Sequence, residues 1–217
     1  MQPNQMPTKP KDLLLKQLKV YYLPFMEPLG FRFAKSNLRL SRKYDEVTQI
    51  IQFSLDEYNS ANECTFWTMW STQSTQYGKW YEQTWGRKPP NIALGGISDW
   101  NITVWSRGVA EHFHLNGTKS DSQEIACLIE NTQAHGLPFL QRISDYKTAA
   151  ECLVEERWMY DKTTDLLMTA GDEARAREVL LQGIDEFANN DRVDNFGELS
   201  ELQSRNQKYF GVATAKH

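Results

Sequence analysis

The stretch Val47-Thr-Gln-Ile-Ile-Gln-Phe-Ser-Leu55 decides the fold class. Val47, Gln49, Ile51, Phe53 and Leu55 share one face, and Thr48, Gln52 and Ser54 share the other. Period-2 alternation with one wetter face is the pattern of an antiparallel strand lying on a core. Just upstream, Leu38 and Leu40 alternate with Arg39 and Ser41, so Lys43-Tyr-Asp-Glu46 reads as the turn between two paired strands. Downstream, Cys64 to Trp70 is apolar or aromatic on both faces (Phe66 and Trp70 against Trp67 and Met69), which predicts a strand that is central or covered on both sides. Further strand signals fall at Trp100, Ile102 and Val104, and at Phe113 and Leu115 before the turn-forming pair Asn116-Gly117. Gly95-Gly96 reads as a bulge or tight bend.

Helical periodicity brackets these strands. Leu14, Leu15, Leu18, Tyr22 and Phe25 predict an amphipathic helix over Asp12 to Met26, stopped by Pro28-Leu-Gly30. After Ser120, Asp121 and Glu124 have the spacing of a capping box, and Gly136 is placed to end that helix. Tyr146, Ala149, Ala150, Leu153, Val154 and Trp158 form the next stripe, with no Gly or Pro before Gly171. Val179, Leu180, Ile184 and Phe187 form another, and a weaker one runs from Asn195 to Phe210. The last two, joined at Asn189-Asn-Asp191, have the form of an αα-hairpin. The expected architecture is α+β: an N-terminal helix, an antiparallel sheet of about four or five strands, helices on one face, and a helical C-terminal extension. Residues 11–157 would be the α+β core and 158–217 the extension.

Composition narrows the function classes. The chain has 217 residues, 40% of them hydrophobic and 24% charged, which is ordinary globular usage. No run approaches the ~18 apolar residues of a membrane span. The first eleven residues carry no apolar h-region, which predicts no secretory signal. The three cysteines, Cys64, Cys127 and Cys152, are odd in number and far apart, which points to a reducing, cytoplasmic setting and away from a disulfide framework or zinc cluster. Charge is uneven: residues 1–43 carry nine Lys/Arg against two Asp/Glu, while the whole chain has a net charge of −4. Such asymmetry either steers a partner or pairs internally.

The opening of the domain also carries a resemblance. A leading helix is followed by Pro28-Leu-Gly-Phe31, basic residues at Arg32 and Lys35, a strand ending in Arg42, and the strand Val47-Thr-Gln-Ile-Ile-Gln-Phe53. This order resembles a bacterial family of domains of unknown function (family 4304), over roughly residues 13–155. The resemblance brings no catalytic residues with it. Small acidic domains of this sort often resemble immunity proteins that neutralise toxins in bacterial competition, an analogy of class.

The chemistry-bearing residues concentrate in one place. Six of the seven tryptophans lie within residues 67–105, and Ser71 to Pro90 is rich in Ser, Thr, Gln, Gly and aromatics without a clean period. It reads as a long loop, with Trp80, Tyr81 and Trp85 compatible with a short helix inside it. Tyr and Trp give large contact area at low entropy cost, so Tyr77, Trp80, Tyr81 and Trp85, with Arg87 and Lys88, are the candidate partner-binding residues. The competing reading is that this segment folds back to cap the sheet. His112 and His114 share one side of a strand, a spacing some metal sites use, but no third ligand is near, so no metal is expected. His135 suits a helix C-terminus. Nucleophile elbows and phosphate loops are absent, no cofactor is expected, and Glu155-Glu156 and Asp185-Glu186 read as solvated helix faces. The expected function is a non-catalytic protein-binding module, with a cognate toxin as the candidate partner. One alternative is a hydrolase or transferase with a dispersed site at Glu111, His112 and His114. Another is a nucleic-acid binder using Lys35, Arg39, Arg42, Lys43, Arg87 and Lys88, against which the pI near 5.6 weighs.

Overall fold

The structure is a computed structural model, and it describes residues 7–101, 112–155, 159–189 and 197–211. The fold is α+β. The chain forms two compact units: the first comprises residues 1–73 and 96–141, the second 74–95 and 142–217. This division interleaves the chain, so it falls elsewhere than the 157/158 boundary read from helical periodicity.

In the first unit, helix α1 (Pro10–Gln17) passes through a π-helical turn at Leu18–Tyr22 into α2 (Leu23–Met26). The wide turn directly precedes Pro24, whose ring and missing N–H interrupt the regular ladder. Gly30, at φ 85, then closes the following 3-10 turn, in the left-handed region open to glycine. Leu14, Leu18 and Tyr22 are fully buried, as the periodicity predicts, whereas Leu15 and Phe25 are partly buried and Met26 takes the inner position at the end of the stripe.

The sheet is an antiparallel meander. Strands β1 (Arg32–Ala34), β2 (Arg39–Tyr44), β3 (Val47–Leu55) and β4 (Cys64–Gln73) pair in sequence order. Tyr44 pairs with Val47, so Asp45 and Glu46 form the turn, with Asp45 at φ 49. The deciding stretch behaves as read: Leu40 faces Ile51, Ile51 faces Trp70, and all three are buried. Strand β5 (Ala93–Ser98) lies next to β4 in the sheet order, and β6 (Phe113–Leu115) also pairs with β4. Strand β4 is therefore central, but it is not covered on both sides, because Met69 is 41% exposed.

Helix α4 (Asp121–Asn131) continues through a π-helical turn at Thr132–Gly136 into α5 (Leu137–Arg142). Helices α1 and α4 pack on the face of the sheet that carries Phe53, Phe66 and Trp70. Phe66 stacks on Phe113 at 5.3 Å, and the Tyr22 hydroxyl bonds Thr132 Oγ1 at 2.9 Å inside this layer.

Several local expectations change. Trp100 lies in a 3-10 turn (Asp99–Asn101), and Ile102, Val104, Trp105 and Glu111 lie outside the described residues. Gly95 and Gly96 belong to a strand. A Cβ on Gly96 would sit 3.2 Å from the Trp70 carbonyl oxygen, so close backbone approach, not a bend, explains that glycine. Asp121 does not form a capping box. Its buried carboxylate accepts from the N–H groups of Asn116 and Gly117 and from Gln17 Nε2 at 2.9, 3.1 and 3.0 Å. Gly136 does not end its helix, because the indole of Trp70 packs against it where a Cβ would come within 2.6 Å.

The second unit is helical apart from its share of β5. Helix α3 (Thr75–Trp85) is followed along the chain by α6 (Tyr146–Glu155), α7 (Tyr160–Thr169), α8 (Glu173–Ala188) and α9 (Glu198–Phe210). The stripe read from Tyr146 to Trp158 had no Gly or Pro after it before Gly171, yet a new helix begins at Tyr160: Met159 is left-handed, at φ 53, immediately before α7, and Trp158 lies outside the described residues. Helices α8 and α9 pack together, and the residues that join them, 190–196, lie outside the described residues. Helix α7 touches α3, α6, α8 and α9, so Thr163, Thr164, Leu166 and Leu167 are all buried.

Candidate functional site

The segment read as a loop is a capped helix. Ser74 Oγ accepts from the Tyr77 N–H at 3.1 Å, and Gly86, at φ 66, ends the helix. Tyr77, Tyr81 and Trp85 recur every four residues on one side, with successive ring centroids 6.1 and 6.2 Å apart. That stripe was present in the sequence. It was masked by Gly78, whose lack of a side chain admits Ile92 (a Cβ would lie 2.9 Å from it), and by flanking Ser, Thr and Gln.

The candidate residues separate accordingly. Tyr77 and Tyr81 are buried, so they anchor α3 and are not displayed for contact. Trp80 is half-buried and stacks on Tyr77 at 6.1 Å. Trp85 is half-buried between Tyr81 and α9, with its ring 5.6 Å from Tyr209 and 5.0 Å below the Arg205 guanidinium. Arg87 and Lys88 are exposed, and Arg87 meets Glu201 at 3.3 Å.

Tyr77, Tyr81 and Arg87 also line a pocket of about 280 Å³ within this unit. Its floor is a charged cluster that the sequence did not announce. Arg205, 2% exposed, donates to both carboxylate oxygens of buried Asp165 at 3.0 and 2.8 Å, and to Glu201 Oε2 at 3.0 Å. Asp161 approaches the same guanidinium at 3.6 Å, and the Tyr209 hydroxyl donates to Asp165 at 2.6 Å. Burial pushes the Asp165 carboxyl upward, against the pull of Arg205 and Tyr209. Burial likewise raises the Tyr77 phenol, helped by the charge of Asp165. Bidentate Arg–carboxylate pairing in a dry setting is rigid and directional.

Lys162 stands apart from that cluster. It is 9% exposed, lines the pocket, and donates to Asn91 Oδ1 at 3.1 Å. Burial lowers its pKa to about 8, against the attraction of Asp161. Neither Lys162 nor Asp165 carried a sequence signal. Their burial comes from the packing of four helices on α7, which no local pattern encodes.

His114 Nδ1 bonds Thr65 Oγ1 at 3.0 Å, and the His112 ring stacks on Trp67 at 4.9 Å. Their proposed companion Glu111 lies outside the described residues. Among the described residues no group of three or more His, Cys, Asp or Glu is placed to hold a metal. Of the basic residues, Lys35, Arg39, Arg42 and Lys43 belong to the first unit, and Arg87 and Lys88 to the second. Arg42 lies 4.5 Å over the Phe31 ring and donates to Gln49 Oε1 and the Leu29 carbonyl. No helix among the described residues is long and apolar enough to cross a membrane. No protein-family model matches the chain, nor does any curated protein or solved structure.

Proposed function

We propose that the chain is a non-catalytic protein-binding module of the immunity or antitoxin type, acting in the cytoplasm, with a toxin as its partner. The observation that carries this reading is the outer rim of α3. Buried Tyr77 and Tyr81 fix the helix, while half-buried Trp80 and Trp85 lead into exposed Arg87 and Lys88. Aromatics held on a helix bind at low ordering cost, and Arg87 and Lys88 follow in the bend after Gly86, so aromatic and arginine side chains, the composition of interface hot spots, stand close in the chain. Cys64, Cys127 and Cys152 are buried thiols, which suits a reducing compartment. The resemblance of residues 13–155 to a bacterial domain family supports the same setting by analogy.

The test is capture of the product of an adjacent toxin-like reading frame. Trp80→Ala and the charge reversal Lys88→Glu are expected to fold as the wild type does while weakening capture by about tenfold or more. Unchanged capture by both variants would remove the α3 rim from the reading.

A further inference from the structure

Each described cation lining the pocket of the second unit has an account except one. Arg205 is taken up by Asp165 and Glu201, with Asp161 beside it, and Arg87 leans on Glu201. Among the described residues Lys162 forms no ion pair: its hydrogen-bond partner is the neutral amide oxygen of Asn91, one acceptor for an ammonium with three N–H donors, and the side chain lines the pocket. A buried ammonium without a carboxylate is costly, so such groups are paired or held for a ligand.

A second feature points the same way. Lys162 sits in the first turn of α7, where the helix dipole favours negative charge; Asp161 shares that turn but leans toward Arg205, at 3.6 Å. The residue before the helix, Met159, offers no capping side chain to the N–H groups of that turn. Met159 lines the pocket as well, and with Tyr77, Tyr81 and Pro90 it supplies apolar wall beside the cation. The volume, about 280 Å³, lies at the lower edge of small-molecule pockets, which run from roughly 300 Å³.

We infer that this pocket binds a carboxylate carried on a small apolar or aromatic body, with Lys162 as the charge partner and the two tyrosines and Pro90 against the body. Two sources share that chemistry: a free organic acid, and the acidic side chain of a bound protein. The inference does not rest on the α3 rim, and its test needs no protein partner.

The experiment titrates the full chain with phenylacetate, with its neutral counterpart 2-phenylethanol, and with an N-acetylated, C-amidated glutamate, following heat release and tryptophan fluorescence. Phenylacetate binding without 2-phenylethanol binding is expected. It should weaken about tenfold or more in Lys162→Met, the range for losing a charge-assisted hydrogen bond. Asn91→Asp is expected to weaken it too, by giving Lys162 a resident carboxylate while keeping the fold. Preference for phenylacetate over the capped glutamate assigns a free acid, and the reverse order assigns a partner's side chain. Failure of both to bind, or equal binding by Lys162→Met, would overturn the inference.

Discussion

Replacing Lys162 with methionine is expected to stabilise the protein at neutral pH. The residue is 9% exposed, and among the described residues its ammonium's hydrogen-bond partner is the neutral amide of Asn91. Burial lowers its pKa from 10.5 to about 8, so the charged form is held in the fold at a cost of about 3 kcal/mol, at about 1.4 kcal/mol per unit. The unfolded lysine keeps its proton until the pH nears 10.5, whereas the folded one releases it near 8. Between those values the unfolded chain binds more protons, so wild-type stability climbs with pH across that window. Methionine has nearly the same length and no charge, and Asn91 Oδ1 keeps the Ala93 N–H as a donor at 3.2 Å. Lys162→Met should therefore exceed the wild type by about 3 kcal/mol below pH ~8 and lose most of that gain by pH ~10.5. Urea unfolding of both proteins at several pH values measures the difference directly. A less stable variant at neutral pH, or a gain that does not change with pH, would refute the reasoning.

Three further outcomes follow from the packing. Arg205→Met leaves the Asp165 carboxylate buried beside Tyr209 without its cation and should cost about 3–5 kcal/mol in chemical unfolding; the triple variant Asp165→Leu/Arg205→Met/Tyr209→Phe should recover most of that loss. Gly136→Ala would drive a methyl to 2.6 Å from the Trp70 indole and should cost about 1–3 kcal/mol, with a changed tryptophan emission spectrum. Asp121→Ala strips three donors of their acceptor and should destabilise the first unit by about 1–3 kcal/mol, with faster hydrogen exchange at Asn116 and Gly117.

The sheet was legible because burial in it follows the chain's own period. Alternate residues of Val47–Leu55 meet alternate faces, and the Asp45-Glu46 turn fixes the register without help from distant residues. Helix α3 was half legible: the Tyr77, Tyr81, Trp85 spacing is helical, yet Gly78 and the Ser/Thr/Gln surroundings favour a loop locally, and tertiary packing against Ile92 and α7 overrides them. The break before α7 had no Gly or Pro to mark it, because Met159 itself takes the left-handed conformation. Asp121 looked like a cap because the spacing Asp121 to Glu124 is local, whereas its actual donors include Gln17, far off in sequence. Tyr77, Tyr81 and Arg87 of the pocket stood out in the sequence, but its charged members on α7 and α9 left no trace there. On paper Lys162 and Asp165 are ordinary helical charges, and only the encirclement of α7 makes them costly.

The interleaved chain path bears on how the protein is made. Residues 74–95, from the end of β4 into the first half of β5, leave the first unit and group with the helices encoded from residue 142 onward. During synthesis, this excursion emerges from the ribosome well before α7 and α9, so the face bearing Tyr77, Tyr81 and Trp85 waits unshielded. A premature stop near residue 141 would yield a chain retaining the whole first unit together with an orphaned aromatic helix, a natural substrate for chaperones and quality-control proteases.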